Sequence, residues 1–348
     1  MNRIGLILAF LPLLIPGASL ARDGLQTPLR EEVTVRNGDA RSLAIVEAAE
    51  SLVRSFSDEQ RARAIAAFSD NEKRQNWSNL PVGMYPRHGI ARGALSEDQR
   101  AALDRLLGVV LSEAGMRNVA YQIAADDTLG DGGMEYGGDN YYVAFLGEPS
   151  SSRPWMLQFG GHHLALNVTA VGPDISFSPM LTGGQPLNIT FDGEETFITR
   201  QETEAAQAFL DSLTDEQRKT AIRGDRPINL LLGPGNYGAM VAPEGIRGAD
   251  LRVDQKSRLV EVIAARIGFM NDDSHAATLE TVMSQLNDTY FAWWGPVGTL
   301  GAAYFRVTAP SLVMEYAPQL RGGDPTDHSH NIYRDPTNDY GMAWVGQP

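Results

Sequence analysis

The chain has 348 residues, 29 of them basic and 43 acidic, for a net charge of −14, with six histidines and no cysteine. That length can bury a sizeable core, and the acidic balance works against a phosphate backbone as partner. Without cysteine there is no disulfide, thiolate metal site, iron–sulfur cluster or thiol nucleophile, so any metal must rest on nitrogen and oxygen ligands.

Residues 1–21 (MNRIGLILAFLPLLIPGASLA) carry Arg3, an apolar run over 4–15 and Ser19-Leu20-Ala21. A positive start, a short apolar stretch and a small-x-small end predict a secretory signal peptide. The run is shorter than the ~20 apolar residues of a membrane span, so no stable membrane anchor is expected after cleavage. A periplasmic or extracellular location follows. Residues 22–38 read as a polar lead-in, and 39–348 as a single integrated domain.

From Asp39 the apolar residues Leu43, Val46, Ala49, Leu52 and Val53 recur at helical spacing. Three similar phrases follow, beginning at Ser57, Ser96 and Thr214, each with Gln three residues on and Asp and Glu between. They predict capped helix starts. Their unequal spacing favours local capping chemistry over a repeat. A segment rich in Pro, Gly and aromatics spans 74–94, a further helix 95–114, and a glycine-rich loop 128–140, with acids spread from Asp126 to Asp139. Those acids do not match a calcium-loop spacing.

Strand-like text occupies 141–146, 155–159, 162–169, 188–191 and 196–199. Helices return near 201–222 and 252–287, and strands at 290–294, 303–308, 312–316 and 328–333. Helices followed by strands, without strict βαβ alternation, predict an α+β fold with helices packed on a mixed or largely antiparallel sheet.

Two motifs hold four of the six histidines. In Gly160-Gly161-His162-His163-Leu164-Ala165-Leu166-Asn167, neighbouring histidines on a strand point to opposite faces. One of them is expected as a metal ligand. In Asp327-His328-Ser329-His330 the two imidazoles of an HxH pair share one strand face, near enough to chelate one ion. Glu315 lies in an apolar strand, where a lone charge is costly to bury. A hairpin could bring it beside His328 and His330, as ligand or general base. Asp327, Asp335, Asp339 and Asn167 are candidates to orient the imidazoles.

The expected site is thus His162 or His163 with His328, His330 and Glu315, holding zinc first, with manganese, iron or copper as alternatives. Arg87 and Arg334 are candidates to bind a substrate carboxylate or a developing anion. The leading functional expectation is a metal-dependent hydrolase acting on a small-molecule or peptide substrate. The alternatives are a copper or iron redox enzyme, or an envelope metal- or ligand-binding protein. His88 and His275 read as structural, and Trp293 and Trp294 as core. The Gly233-Pro-Gly-Asn-Tyr-Gly238 phrase opens no helix and argues against a dinucleotide site. No GxSxG elbow or HExxH is present.

Taken in order, several phrases resemble the family catalogued as domain of unknown function 3500. They are Trp77-Ser-Asn79-Leu-Pro81, Pro86-Arg87-His88-Gly89, Pro149-Ser150 with Pro154-Trp155, and Gly161-His162-His163-Leu164 with Asn167. They continue through Gly233–Gly238 and Pro243-Glu244-Gly245 to Glu315, His328-Ser-His330 and Arg334-Asp-Pro-Thr-Asn-Asp-Tyr-Gly341. The resemblance runs from Asp39 onward and implies a single domain. It supplies a grouping and no mechanism.

Overall fold

A computed structural model describes residues 36–130, 135–236, 240–319 and 324–345. The expected signal peptide over 1–21, and the lead-in up to residue 35, lie outside the described residues. So do Tyr237 and Gly238 of the glycine phrase.

The elements fall into two runs of the same order, except that the short helix Asn71–Arg74 and the short strand Asp174–Ser176 of the first have no counterpart in the second. The first contains α1 (Ala40–Arg54), α2 (Asp58–Ala64), β1 (Ile65–Ala66), α3 (Asn71–Arg74) and β2 (Ile90–Ala91). It goes on with α4 (Glu97–Val110), α5 (Glu113–Asp127), β3 (Tyr142–Leu146), β4 (Trp155–Gly160), β5 (Ala165–Val171), β6 (Asp174–Ser176) and β7 (Met180–Gly184). A separate hairpin, β8 (Asn188–Phe191) with β9 (Glu194–Phe197), leads to the second run. This comprises α6 (Arg200–Ser212), α7 (Asp215–Ala221), β10 (Ile222–Gly224), β11 (Ile246–Arg247), α8 (Val253–Ile267) and α9 (Asp272–Ser284). Strands β12 (Tyr290–Trp294), β13 (Tyr304–Ala309), β14 (Leu312–Pro318) and β15 (Ser329–Arg334) complete it, and α10 (Met342–Val345) follows.

Among the described residues, 13 strands form one open mixed sheet whose main path runs β1-β3-β4-β5-β7-β15-β14-β13-β12-β10. The path reads the same from either end about the β7–β15 seam. The outer pairs β1–β3 and β10–β12 are parallel, and the inner ladder is antiparallel. This is a single α+β domain, as the element pattern predicts. The short outer strands and β7 were not foreseen, because two to five residues carry too little periodicity.

The halves also match in their local chemistry. All three Ser/Thr–Gln capping boxes form. Gln60 and Gln99 exchange side-chain hydrogen bonds, and Gln99 also donates to Ser55 O at 2.8 Å. In the second half Gln217 and Gln255 do the same, with Gln255 donating to Ser212 O at 2.8 Å. Gly89 and Gly245 occupy one position twice, both at positive φ. A Cβ there would come within 2.3 Å of Val143 O and 1.9 Å of Phe291 O. The phrases at Ser57 and Thr214 are therefore equivalent points of a repeated unit, a correction to the local-capping reading. The repeat is hidden in sequence because the equivalent of the Ser96 phrase begins with Arg252-Val253 and keeps only Asp254 and Gln255.

The main core lies between helices and sheet, joining Leu52, Leu103, Leu106, Phe209, Leu259 and Val262 to strand residues such as Phe145, Phe159, Phe291 and Val307. Trp293 and Trp294 are buried, as read. On the opposite face the long segments 67–89, 225–236 and 240–245 cover the sheet. There Phe68, Trp77 and Leu232 pack with Leu146, Met156, Leu181, Val313 and Ile332. Alternation along β15 puts Tyr333 among the helices and Ile332 under the segments. His328 and His330 share the Ile332 face.

The two halves are held at their seam by Arg266. It donates to Met180 O of β7 at 2.9 Å and Asn331 O of β15 at 3.2 Å, and pairs with Glu202 at 3.2 Å.

Candidate metal centre

The His162-His163 pair does not lie on a strand. Residues 161–164 form the tight turn between β4 and β5, closed by Gly161 N–H donating to Leu164 O at 3.0 Å. His163 adopts φ +60°, a left-handed conformation that costs a non-glycine residue about 1–2 kcal/mol. The turn is pinned on three sides. Tyr141 Oη donates to His162 O at 3.0 Å, Arg87 donates to Gly161 O at 3.0 Å, and His162 Nδ1 sits 2.6 Å from Asp126 Oδ1.

This geometry aims His163 at the start of β15. Its Nε2 lies 3.0 Å from Nε2 of His328 and 3.0 Å from Nε2 of His330, and those two are 3.3 Å apart. The three imidazoles could hold a metal ion; no carboxylate joins them among the described residues. His163 comes from the first half and the HxH pair from the second, so the cluster spans the seam. In the other half, the register places Ser311 where His163 stands, and Gln285 occupies its hydroxyl and amide.

His163 and His330 are buried, whereas His328 is partly exposed. Burial, and then the neighbouring imidazoles, push His163 well below the ordinary histidine range. Burial, and then His328 and His162, do the same to His330. Both rings are neutral at neutral pH and keep a lone pair for a cation. The sign of the pH dependence follows. The unfolded chain takes its protons near pH 6.5 and the folded one only lower, so acid favours unfolding. Metal-free stability is expected to hold above pH 6.5 and to fall below it by about 1.4 kcal/mol per pH unit for each ring. Urea titrations at about pH 7.5 and about pH 5.5 measure this, and equal stabilities would contradict buried neutral rings.

The other expected residues lie elsewhere. His162 turns away from the cluster to Asp126. Glu315 shares the sheet face of His330 but sits diagonally from it in the β14–β15 register. Its carboxylate accepts Leu231 N–H and Leu232 N–H at 2.8 Å and Tyr304 Oη–H at 2.7 Å. Burial raises its pKa while these bonds oppose the rise. It clamps the second long segment and neither joins the cluster nor stands ready as its base. Arg334 donates to Leu232 O and Gly233 O and pairs with Asp339, all buried. Its fork binds protein rather than an anion.

Asp327 accepts Leu187 N–H and Asn188 N–H, Asp335 caps Thr337, and Asn167 bridges Gln158 and Pro179 O. None of these orients an imidazole of the cluster. Each of these side chains is instead taken up by other protein groups, Asp327 and Asp335 by backbone N–H groups and Asn167 by Gln158 and Pro179 O. Arg87 likewise spends its guanidinium on the carbonyls of Ser78, Leu80, Tyr85 and Gly161. Burial brings its pKa down to about 10. It ties the Asn79 segment to the histidine turn.

Two residues at the cluster escaped sequence reasoning. Asn79 brings its side-chain amide within 3.1 Å of Nδ1 of His330. Asp126 sits among the acids flanking the glycine-rich loop, a group whose spacing resembled no known loop and so carried no signal.

The model of the family described as "Protein of unknown function (DUF3500)" matches residues 39–342. No curated protein and no solved structure matches. A match over nearly the whole described chain, including both histidine motifs, places this protein in that family.

Proposed function

We propose that the protein is an exported metal-dependent hydrolase with zinc held by His163, His328 and His330. One observation carries this reading: three Nε2 atoms 3.0–3.3 Å apart, two of them on buried neutral rings. Nitrogen donors at about 2.0–2.1 Å from a tetrahedral zinc are roughly 3.3 Å from one another. His163, His328 and His330 are the three-imidazole donor set that would hold zinc with a position left open, and zinc so held would supply activation of water near neutral pH. The partial exposure of His328 supports access from solvent on that side. With Glu315 committed to the 231–232 backbone, a metal held by the three imidazoles would have to supply the activation of water, and the substrate class is a small molecule or peptide with a hydrolysable carbonyl.

The test is cobalt substitution of protein recovered from the cell envelope, with its mature mass read first. Cleavage near Arg22, a cobalt spectrum that shifts with azide, and zinc-dependent turnover of 4-nitrophenyl acetate are expected. His163→Ala should abolish the last two. A spectrum indifferent to azide, with no turnover, would mark a closed binding site instead.

A further inference from the structure

Consecutive histidines on a strand would part to opposite faces. Here their ring centroids are only 3.7 Å apart, because the β4–β5 turn folds His163 into the left-handed region and His162 back onto α5. What holds His162 is Asp126, in the last turn of that helix. Its Oδ1 lies 2.6 Å from His162 Nδ1, and its Oδ2 accepts Gly137 N–H at 3.0 Å. The two side chains are 5% and 4% exposed. A carboxylate so buried is kept only with partners, so the acceptor Oδ1 fixes which nitrogen of His162 carries the proton and which way the ring faces.

We propose that Asp126 is a positioning residue for the metal centre, acting through His162 on the ligand His163. The inference rests on the three-histidine centre proposed above. Metal sites depend on outer partners that orient their ligands. This one would differ in that the carboxylate grips the neighbour of the ligand. The shared peptide and the ring contact then transmit the orientation. Tyr136, whose ring centroid is 5.0 Å from that of His162, closes the other side.

The measurement is zinc affinity by chelator competition on the full mature chain, with the cobalt spectrum as a report on ligand geometry. Asp126→Ala is expected to weaken zinc about 10–100-fold and to alter the cobalt spectrum. His162→Phe, which keeps a ring against His163 but cannot donate to the carboxylate, should lose as much. His162→Gln, whose amide can donate, should recover most of the loss. The Asp126→Ala/His162→Phe double variant should bind no worse than either single one, since both cut the same link.

Unchanged affinity in Asp126→Ala and His162→Phe, or losses that simply add, would overturn the proposal. If Asp126→Ala does not fold, the contrast between His162→Phe and His162→Gln decides. A wild-type chain that takes up no zinc overturns the centre itself and this inference with it.

Discussion

Replacing His328 and His330 together by alanine is expected to reduce bound zinc from about one equivalent per chain to none, without unfolding the protein. Two of the three converging nitrogens vanish, and a single imidazole cannot hold zinc against a chelator. The fold should tolerate the loss because the seam is carried by other contacts: five β7–β15 residue pairs and the buried Arg266 network beneath them. Zinc at a hundred times its dissociation constant should stabilise the wild type by about 2.7 kcal/mol and the variant not at all. Metal analysis and zinc-dependent thermal melting measure the two effects. Equal, substoichiometric metal in both proteins would remove the basis for a three-histidine centre.

Glu315→Ala should have the opposite signature, a loss of stability of about 3–5 kcal/mol with zinc retained. The carboxylate satisfies two consecutive backbone N–H groups and the Tyr304 hydroxyl, all from inside the protein. Removing it strands those donors. It also takes a carboxylate from the neighbourhood of Arg306, which is left to its pair with Glu244. Urea unfolding gives the stability and metal analysis the zinc content. Loss of zinc from a variant that remains folded would return Glu315 to the metal site, where its position in the sequence had first suggested it.

These two residue sets mark the limit of reading from sequence. The HxH pair was legible because alternation along a strand is a local property: Ser329 faces one way, His328 and His330 the other. Glu315 does lie on the same face, but the face does not say which neighbour a side chain will meet. Two residues along the β14–β15 ladder separate it from His330, and the 231–232 backbone arrives first. Arg334 and Asp339 were drawn into protein contacts for the same reason. The His162-His163 pair differs: one of the two does join the cluster, but the pair forms the turn itself, with His163 at φ +60°, where an extended strand was expected.

Composition and local pattern alone established several things. Any metal must be held without thiolate, the three helix starts are capped by their own Ser or Thr and Gln, and the two imidazoles of the HxH pair share one strand face. Those properties depend on residues a few positions apart, so the chain order contains them. The repeat of the two halves, the seam between β7 and β15, and the choice of His163 over His162 and Glu315 depend on partners 83 to 167 positions away. Packing makes that choice: every buried donor and acceptor must find a partner, and only in the assembled sheet is it settled that three imidazoles are left facing one another.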